Sequence, residues 1–279
     1  MLVKKLHLAN HTVQETLILP LYARKLGSEL FPQILADPFA SSIISRLDYD
    51  FSTLDAKKDS LIWQFGALAG LLRSKDMLCE MQDYLSVHPY ASVVNMGCGL
   101  DQTPLLGDNG KMKLYNIDRE DVIAVRRTIL PPIARETNIA ADLRDDTWIR
   151  RIDASQGTFL FAAGVFVYFE KDKVRHLVLK VKEAFPQSCL VFDTLGKTAV
   201  TILMKKTLET LEIHNIDGLF YSNTPAKDLQ WSSDIEISVR NYLTGYVDLK
   251  EKGVRPLFRY TAVLFDRIFN IHICRMRWP

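Results

Sequence analysis

Five short apolar runs between residues 91 and 193 constrain the fold of this chain more than any other feature. They show little alternation of polar and apolar side chains, and helical segments separate them. The runs are 91–96, 113–118, one that ends near Asp142, 158–163 and 188–193. Strands without alternation are buried on both faces, as in a parallel sheet that helices cover on either side. The pattern therefore predicts an α/β fold with a doubly wound, mostly parallel sheet and right-handed crossovers.

The segment from about residue 12 to residue 86 is helical in its periodicity. Apolar side chains recur there every three or four residues and form one stripe. They are Leu61, Phe65, Leu68, Leu72, Met77, Met81 and Leu85. Asp37 followed by Pro38 predicts the start of a helix, because an aspartate N-cap and a proline in the first turn both favour one.

The C-terminal third is less regular. Residues 197–214 predict a helix, and residues 215–233 are typical of a loop. Two late strands are predicted over 238–243 and from about 261 to 276, and we expect them to form an antiparallel hairpin at the sheet edge. Residues 1–279 are expected to form a single domain. It divides into a helical N-terminal cap (1–86), a cofactor-binding core (87–194), a lid insertion (195–235) and C-terminal strands (236–279).

Charge and cysteine content argue against several classes of partner. Lys and Arg number 35 and Asp and Glu number 33, so the net charge of +2 creates no overall field for nucleic acid or an anionic membrane. The longest apolar run, 159–169, is about half as long as a membrane-spanning helix.

The four cysteines form no CxxC pair, and no metal-ligand motif is present, so we expect no metal. No signal-peptide core follows Lys4 and Lys5, and we expect a cytoplasmic protein.

Two glycines follow the first predicted strand directly. Gly97 and Gly99 permit a sharp turn and let backbone N–H groups approach a ligand closely. Dinucleotide-binding enzymes have a third glycine in this region, whereas this chain has Leu100 and Asp101. A carboxylate would repel a pyrophosphate but would attract the amino group of an amino-acid-like ligand. The turn therefore favours S-adenosyl-L-methionine over NAD.

Polar residues at the ends of the other strands are candidate ligand contacts, because parallel sheets bind ligands at the carboxyl ends of their strands. Asp118 ends the second strand nineteen residues after Gly99, where an acidic side chain accepts hydrogen bonds from ribose hydroxyls. The alternative for Asp118 is a helix cap beside a tight turn. Asn95, Asp142 and Ala163 also fall near strand ends.

Several stretches together resemble the leucine carboxyl methyltransferase family, which includes the tetracenomycin-type polyketide carboxyl O-methyltransferases. The resemblance runs in order over about residues 17–194, roughly two thirds of the chain. The stretches are LPLYARKL (19–26), DPFASSIISRLDYDF (37–51), VVNMGCGLD (93–101), YNIDREDVIAVRR (115–127), ADLRDDTW (141–148), AAGVFVYF (162–169) and LVFDT (190–194). It implies a class I methyltransferase (Rossmann-like) fold, with helical lid elements and S-adenosyl-L-methionine as cofactor.

The resemblance also implies roles for individual residues. Arg73 takes the place of an arginine that binds the cofactor carboxylate, which a guanidinium grips with two hydrogen bonds; the alternative is a solvated helix arginine. Arg24 matches a basic residue near the N-terminus, with Lys25 as the alternative. Asp142 and Leu143 stand where the family contacts adenine, unless Asp142 is only a helix cap.

The chain departs from the family pattern at Ala163. The family has a glutamate there, near the ammonium group of the cofactor, so Ala163 removes a favourable charge. The loss is expected to weaken binding, alter the substrate or mark a degenerate relative, and Ala163→Glu is expected to tighten cofactor binding modestly. Tyr168 stands at the tyrosine position of the family, where it either guides a substrate oxygen or packs with its hydroxyl at the surface.

The function that these observations favour is an S-adenosyl-L-methionine-dependent O-methyltransferase acting on a carboxylate of a small molecule. A carboxylate is ionised at neutral pH and needs no general base, and none of the six histidines lies in a recognisable catalytic motif. The first alternative is a catalytically degenerate cofactor-binding or regulatory protein, and the second is an NAD-dependent enzyme. The acceptor and the oligomeric state are left open.

Overall fold

A computed structural model of the chain describes residues 6–7, 17–130, 132–204 and 219–279. The strands are β1 (Leu6–His7), β2 (Leu47–Asp48), β3 (Ser92–Met96), β4 (Lys113–Asp118), β5 (Glu136–Ala140), β6 (Thr158–Ala162), β7 (Cys189–Thr194), β8 (Glu236–Asn241) and β9 (His272–Arg277). The α-helices are α1 (Ile18–Leu30), α2 (Pro38–Ser45), α3 (Ser52–Asp55), α4 (Leu61–Val87), α5 (Thr103–Leu106), α6 (Glu120–Ile129), α7 (Lys171–Ala184), α8 (Lys197–Ala199), α9 (Pro225–Asp228) and α10 (Pro256–Phe269).

Seven strands form the main sheet, in the order β5-β4-β3-β6-β7-β9-β8. The first five strands in this order run parallel to one another, and β9 runs antiparallel to both β7 and β8. The order reverses between β3 and β6, where the chain crosses from one half of the sheet to the other. The predicted doubly wound sheet with an antiparallel C-terminal pair is confirmed. A separate short pairing joins β1 to β2.

Two hydrophobic layers cover the sheet. On one face, α4 and α10 pack on side chains such as Val93, Phe161 and Val191. On the opposite face, α7 and the segments around residues 148–152 and 220–235 pack on Val94, Leu160 and their neighbours. The strands are buried on both faces because their side chains are apolar on both faces, as the sequence predicts.

The N-terminal cap is helical, as predicted, and it packs directly onto α4. Asp37 caps α2 by accepting the N–H groups of Phe39 and Ala40 at 3.0 and 3.1 Å. Close approach of α1 to α4 depends on Gly27, since a Cβ there would lie 2.6 Å from the carbonyl oxygen of Ala67. Helix α4 continues past Gly66 and Gly70 without a break.

The prediction for the C-terminal segment is partly wrong. Residues from about 261 onward were expected to form one strand, but α10 extends to Phe269 and only β9 is a strand. Pro256 in the first turn and the buried Phe258, Ala262 and Asp266, four residues apart, are typical of a helix. Asn270, with φ 47°, ends it.

Smaller differences concern a strand end and a helix. Strand β5 ends at Ala140, two residues before Asp142. The predicted helix over 197–214 begins as α8 and continues as a π-helical turn, Val200–Met204. The rest of that predicted helix, and residues 215–218 of the predicted loop, lie outside the described residues.

Candidate functional site

The glycine turn after β3 forms the centre of the candidate site. Gly97 and Gly99 have φ values of 66° and 46°, which glycine adopts without strain. A Cβ at Gly97 would lie 2.5 Å from a methyl carbon of Val165, so space as well as backbone angle requires glycine there. The N–H groups of Gly97 and Cys98 both donate to the carbonyl of Ile117, at 2.8 and 3.0 Å. The turn is therefore tied to the end of β4.

Asp118 is the second anchor of this turn. One carboxylate oxygen accepts the N–H of Gly99 at 2.8 Å, and the other accepts the N–H of Arg119 at 2.8 Å. Burial raises the pKa of Asp118, and the two N–H groups oppose that rise. Each carboxylate oxygen has a second lone pair, so Asp118 can still accept hydrogen bonds from a ligand.

Arg24 and Asp101 are brought together beside the glycine turn. The Arg24 guanidinium makes a short ion pair with Asp101 and donates to the carbonyl of Leu100 at 3.1 Å. The same oxygen of Asp101 accepts the N–H and the hydroxyl of Thr103 at 3.0 and 2.6 Å. Burial lowers the pKa of Arg24 to about 10, which leaves it charged at neutral pH. This pair fastens the N-terminal cap onto the glycine turn.

Lys25, the alternative to Arg24, points elsewhere. Its ammonium pairs with Glu29 of the same helix at 2.9 Å, and both side chains reach solvent. Of the two basic residues, Arg24 is the one that reaches the site.

Arg126 supports the turn from below and was not singled out from the sequence. Its side chain is fully buried. It donates to the carbonyls of Gly99 and Asp101 at 3.1 and 2.8 Å, and to Glu136 and Asn138 at 3.1 Å each. The partners lie on two other elements, so no local motif indicates this role.

Asn95, the residue before the last of β3, has an unsatisfied hydrogen-bond donor. The residue is 2% exposed, and its amide nitrogen has no hydrogen-bond partner among the described residues. The amide nitrogen of Gln102, just beyond the turn, is also without one in the described structure. Buried donors usually have partners, so these two indicate where polar groups of a ligand would be accepted.

Arg73 reaches the carboxyl ends of β6 and β7 from α4. Its guanidinium lies 3.6 Å from the carboxylate of Asp193, and it packs so closely on Gly164 that a Cβ there would be 2.5 Å away. Asp193 also accepts the N–H of Gly164 at 2.5 Å. Burial acts to lower the pKa of Arg73, but Tyr242 and Asp193 outweigh it and raise that pKa. Arg73 is therefore a fixed cation at the edge of the site.

Ala163 and Tyr168 flank this cation. Ala163 follows β6 directly and lies partly buried against the layer that contains α4. Tyr168 is 38% exposed at its surface. Partial burial raises the pKa of its hydroxyl, and the charge of the Arg73 guanidinium opposes that rise. Both residues follow β6 at the carboxyl edge of the sheet, a position that the sequence predicts for Ala163.

Asp142 and Leu143 follow β5 at the same edge. Both carboxylate oxygens of Asp142 accept hydrogen bonds from Arg144, at 2.9, 3.0 and 2.5 Å, and this partner lowers the pKa of Asp142. Leu143 is buried in the layer on the α7 side. An adenine contact by the Asp142 carboxylate would compete with Arg144.

The sequence profile of one family, described as leucine carboxyl methyltransferase, matches residues 20–182. The chain belongs to the leucine carboxyl methyltransferase family. The matched range contains Arg24, Arg73, the glycine turn and Asp118. Membership confirms the predicted family and S-adenosyl-L-methionine as its predicted cofactor.

Two curated relatives resemble the chain over part of their length. The tetracenomycin polyketide synthesis O-methyltransferase TcmP of Streptomyces glaucescens is 28% identical over 185 residues, covering 66% of each chain. The S-adenosyl-L-methionine-dependent methyltransferase dpfgK of Gibberella zeae is 29% identical over 189 residues, covering 63% of this chain and 62% of its own. The chain thus spans just under two thirds of each relative.

The solved structures agree on the fold. A candidate methyltransferase from Thermobifida fusca matches with a TM-score of 0.55 and 16% identity, over 92% of this chain and 94% of its own. This likeness supports the class I methyltransferase fold of the family. Among the described helices, none is both long and apolar enough to cross a membrane.

Proposed function

We propose that this chain transfers a methyl group from S-adenosyl-L-methionine to an oxygen of a small molecule, and that the oxygen belongs to a carboxylate. The observation that carries the proposal is the set of groups at one edge of the sheet. Asp118, beside the glycine turn, suits the ribose of the cofactor, and Arg73 suits the carboxylate of the cofactor. The name of the O-methyltransferase relative from Streptomyces glaucescens supports the choice of oxygen.

The residues present fit the cofactor. The unpartnered amide nitrogen of Asn95 offers a donor to a polar ligand, and the carboxylate of Asp118 keeps lone pairs for the hydroxyls of a ribose. When bound, S-adenosyl-L-methionine supplies an electrophilic methyl group on a sulfonium. The contribution of the chain is to bind, orient and exclude water, because methyl transfer depends mainly on alignment of the two reactants.

A carboxylate acceptor agrees with the positions of two described histidines, His88 and His272. His88 stacks on Tyr84 at the amino ends of the strands, the edge of the sheet opposite to the glycine turn. His272 lies at the carboxyl edge, but it contacts the carbonyl of Asn270, and burial lowers its pKa. An acceptor that is already ionised needs neither of them.

The alternative is a protein that binds the cofactor without transferring the methyl group. Ala163 is the observation that favours it, because the resemblance implies a glutamate there. This alternative predicts normal binding of S-adenosyl-L-homocysteine and no methyl transfer to any acceptor.

The test uses S-adenosyl-L-methionine with a radiolabelled methyl group. Acceptors are aromatic and aliphatic carboxylic acids, the matching phenols, and a peptide with a C-terminal leucine. We expect label in the methyl ester of a carboxylic acid, from which alkali releases it as methanol, because esters hydrolyse and ethers do not. Alkali-stable label would indicate a hydroxyl acceptor. Binding without transfer would favour the degenerate alternative, and absence of binding would overturn the proposal.

A further inference from the structure

Asp193 on β7 lies beside Ala163, the residue that follows β6. Strands β6 and β7 are parallel neighbours, and their register pairs Phe161 with Val191 and Ala162 with Phe192. One step further, Ala163 stands beside Asp193. Successive side chains alternate between the two faces of a strand, so both residues face the layer that contains α4 and Arg73. The carboxylate that the resemblance places on β6 is therefore present one strand away.

The surroundings of Asp193 hold its carboxylate at the site edge. Its side chain is only 8% exposed, and it accepts the N–H of Gly164 at 2.5 Å. Its other oxygen faces the Arg73 guanidinium at 3.6 Å, longer than a charge-assisted hydrogen bond. This is the only ion pair that the described residues give Arg73. The guanidinium and the carboxylate thus lie side by side at a distance longer than that of a direct hydrogen bond.

An α-amino acid carries the complementary pair of charges. Its ammonium and carboxylate groups are attached to the same carbon, so a ligand of this class presents a cation to Asp193 and an anion to Arg73 simultaneously. Burial strengthens such contacts, because less water screens them.

We propose that Asp193 binds the ammonium group of the amino-acid portion of S-adenosyl-L-methionine, beside the carboxylate contact that the family resemblance implies for Arg73. The proposal rests on the proposed function, since it names a further contact of the same cofactor. It accounts for the alanine at 163: with an acid on β7, a second acid beside it on β6 would add like-charge repulsion.

The substitution that tests the proposal is Asp193→Asn. Asparagine has the same shape, and its amide oxygen can still accept the N–H of Gly164, so the turn after β6 is retained. Two ligands are compared by calorimetry: S-adenosyl-L-homocysteine, and 5′-methylthioadenosine, which has the nucleoside but no amino-acid portion. Asp83→Asn, on the exposed side of α4, is the matched control.

We expect Asp193→Asn to weaken S-adenosyl-L-homocysteine binding about 10- to 100-fold, the usual effect of losing a charged hydrogen-bond partner. Binding of 5′-methylthioadenosine should stay within about twofold of wild type. Unchanged affinity for S-adenosyl-L-homocysteine would overturn the proposal. An equal loss for both ligands would also overturn it, because the role of Asp193 would then be structural. If the wild-type protein binds neither ligand, the proposed function itself fails.

A second pair of variants asks whether the carboxylate can be moved between strands. Ala163→Glu alone is expected to weaken binding, in contrast to the modest gain expected from the sequence, because it places a second acid beside Asp193. Adding Ala163→Glu to Asp193→Asn returns one carboxylate to the edge and should recover at least part of the lost affinity for S-adenosyl-L-homocysteine. A double variant no better than Asp193→Asn, with native circular dichroism, would contradict this geometry.

Discussion

The backbone N–H of Gly99 donates to the carboxylate of Asp118 across 2.8 Å, which joins the glycine turn of β3 to the end of β4. One side chain therefore has two tasks: it fixes the turn, and it presents a carboxylate toward the position expected for a ribose. Both tasks concern the nucleoside half of the cofactor and not its amino-acid half.

Asp118→Ala removes the hydrogen bond to the N–H of Gly99 and the expected contact with the ribose. We expect binding of S-adenosyl-L-homocysteine and of 5′-methylthioadenosine to weaken to a similar extent, about 10- to 100-fold, since both ligands contain the ribose. Calorimetry with the two ligands measures this, and Asp83→Ala serves as the control. A variant with unchanged affinity for 5′-methylthioadenosine would show that Asp118 does not contact the nucleoside.

Arg73→Met, in contrast, should weaken the binding of S-adenosyl-L-homocysteine and leave that of 5′-methylthioadenosine nearly unchanged. Loss of the guanidinium removes a charge-assisted contact worth about 1.5–3 kcal/mol to the cofactor carboxylate, while 5′-methylthioadenosine has no carboxylate to lose. The affinity ratio of the two ligands is the measurement. Arg150→Met, at an exposed arginine, is the control. A change of less than twofold for S-adenosyl-L-homocysteine would end the assignment of Arg73.

Arg126→Met should act on stability first. The substitution leaves Glu136 buried without its cation, and breaking a buried ion pair usually costs about 3–5 kcal/mol of the free energy of unfolding. Urea unfolding gives this quantity. Arg127→Met, whose side chain is half exposed, should change it by less than about 0.5 kcal/mol.

The double variant Arg126→Met with Glu136→Met separates the lost ion pair from lost packing. It should be more stable than Arg126→Met alone, because no unpaired charge is then buried. A double variant that is less stable than the single one would indicate that the hydrogen bonds that Glu136 accepts from Asn116 and Ile133 matter more than its unpaired charge.

The buried carboxyl group of Asp76 should make the free energy of unfolding fall as pH rises. It is 1% exposed, and neither carboxylate oxygen has a hydrogen-bond partner in the described structure. Burial, with Asp266 and Glu80 nearby, raises the pKa of Asp76 to about 9. An unfolded aspartate titrates near ~4, so between these values the folded chain holds a proton that the unfolded chain has released. The free energy of unfolding then decreases with pH, by at most about 1.4 kcal/mol per unit.

Asp76→Asn removes that dependence. Urea unfolding at pH 5, 6.5 and 8 should show the variant gaining on the wild type as pH rises, while Asp83→Asn follows the wild-type profile. Parallel profiles for Asp76→Asn and wild type would contradict a raised pKa.

The sequence predicted the sheet well because burial on both faces leaves a pattern in a single strand. All five parallel strands lie within about two residues of their predicted ends. Helix α10 was mistaken for strand because a half-exposed amphipathic helix and a strand share apolar spacing over short windows. A proline in the first turn is the signal that would have corrected it.

The site was predictable only where one residue acts alone. Gly97, Gly99, Asp118 and Arg73 have recognisable places along the chain. Arg24 meets Asp101 across 77 residues, and Arg126 meets carbonyls on a different element, so only the folded chain reveals these pairs. Asp193 is the last residue of the predicted strand 188–193, and it could have been found by applying the strand-end rule to every predicted strand.

Strand β9 is made after β8 but lies between β8 and β7. During synthesis, therefore, β8 emerges with no neighbour to pair with, and β7 remains an open edge until the last strand is available. Unpaired edges of this kind attract other chains. We infer that the finished sheet assembles late, and that loss of β9 would leave two unpaired edges and not merely a shorter sheet.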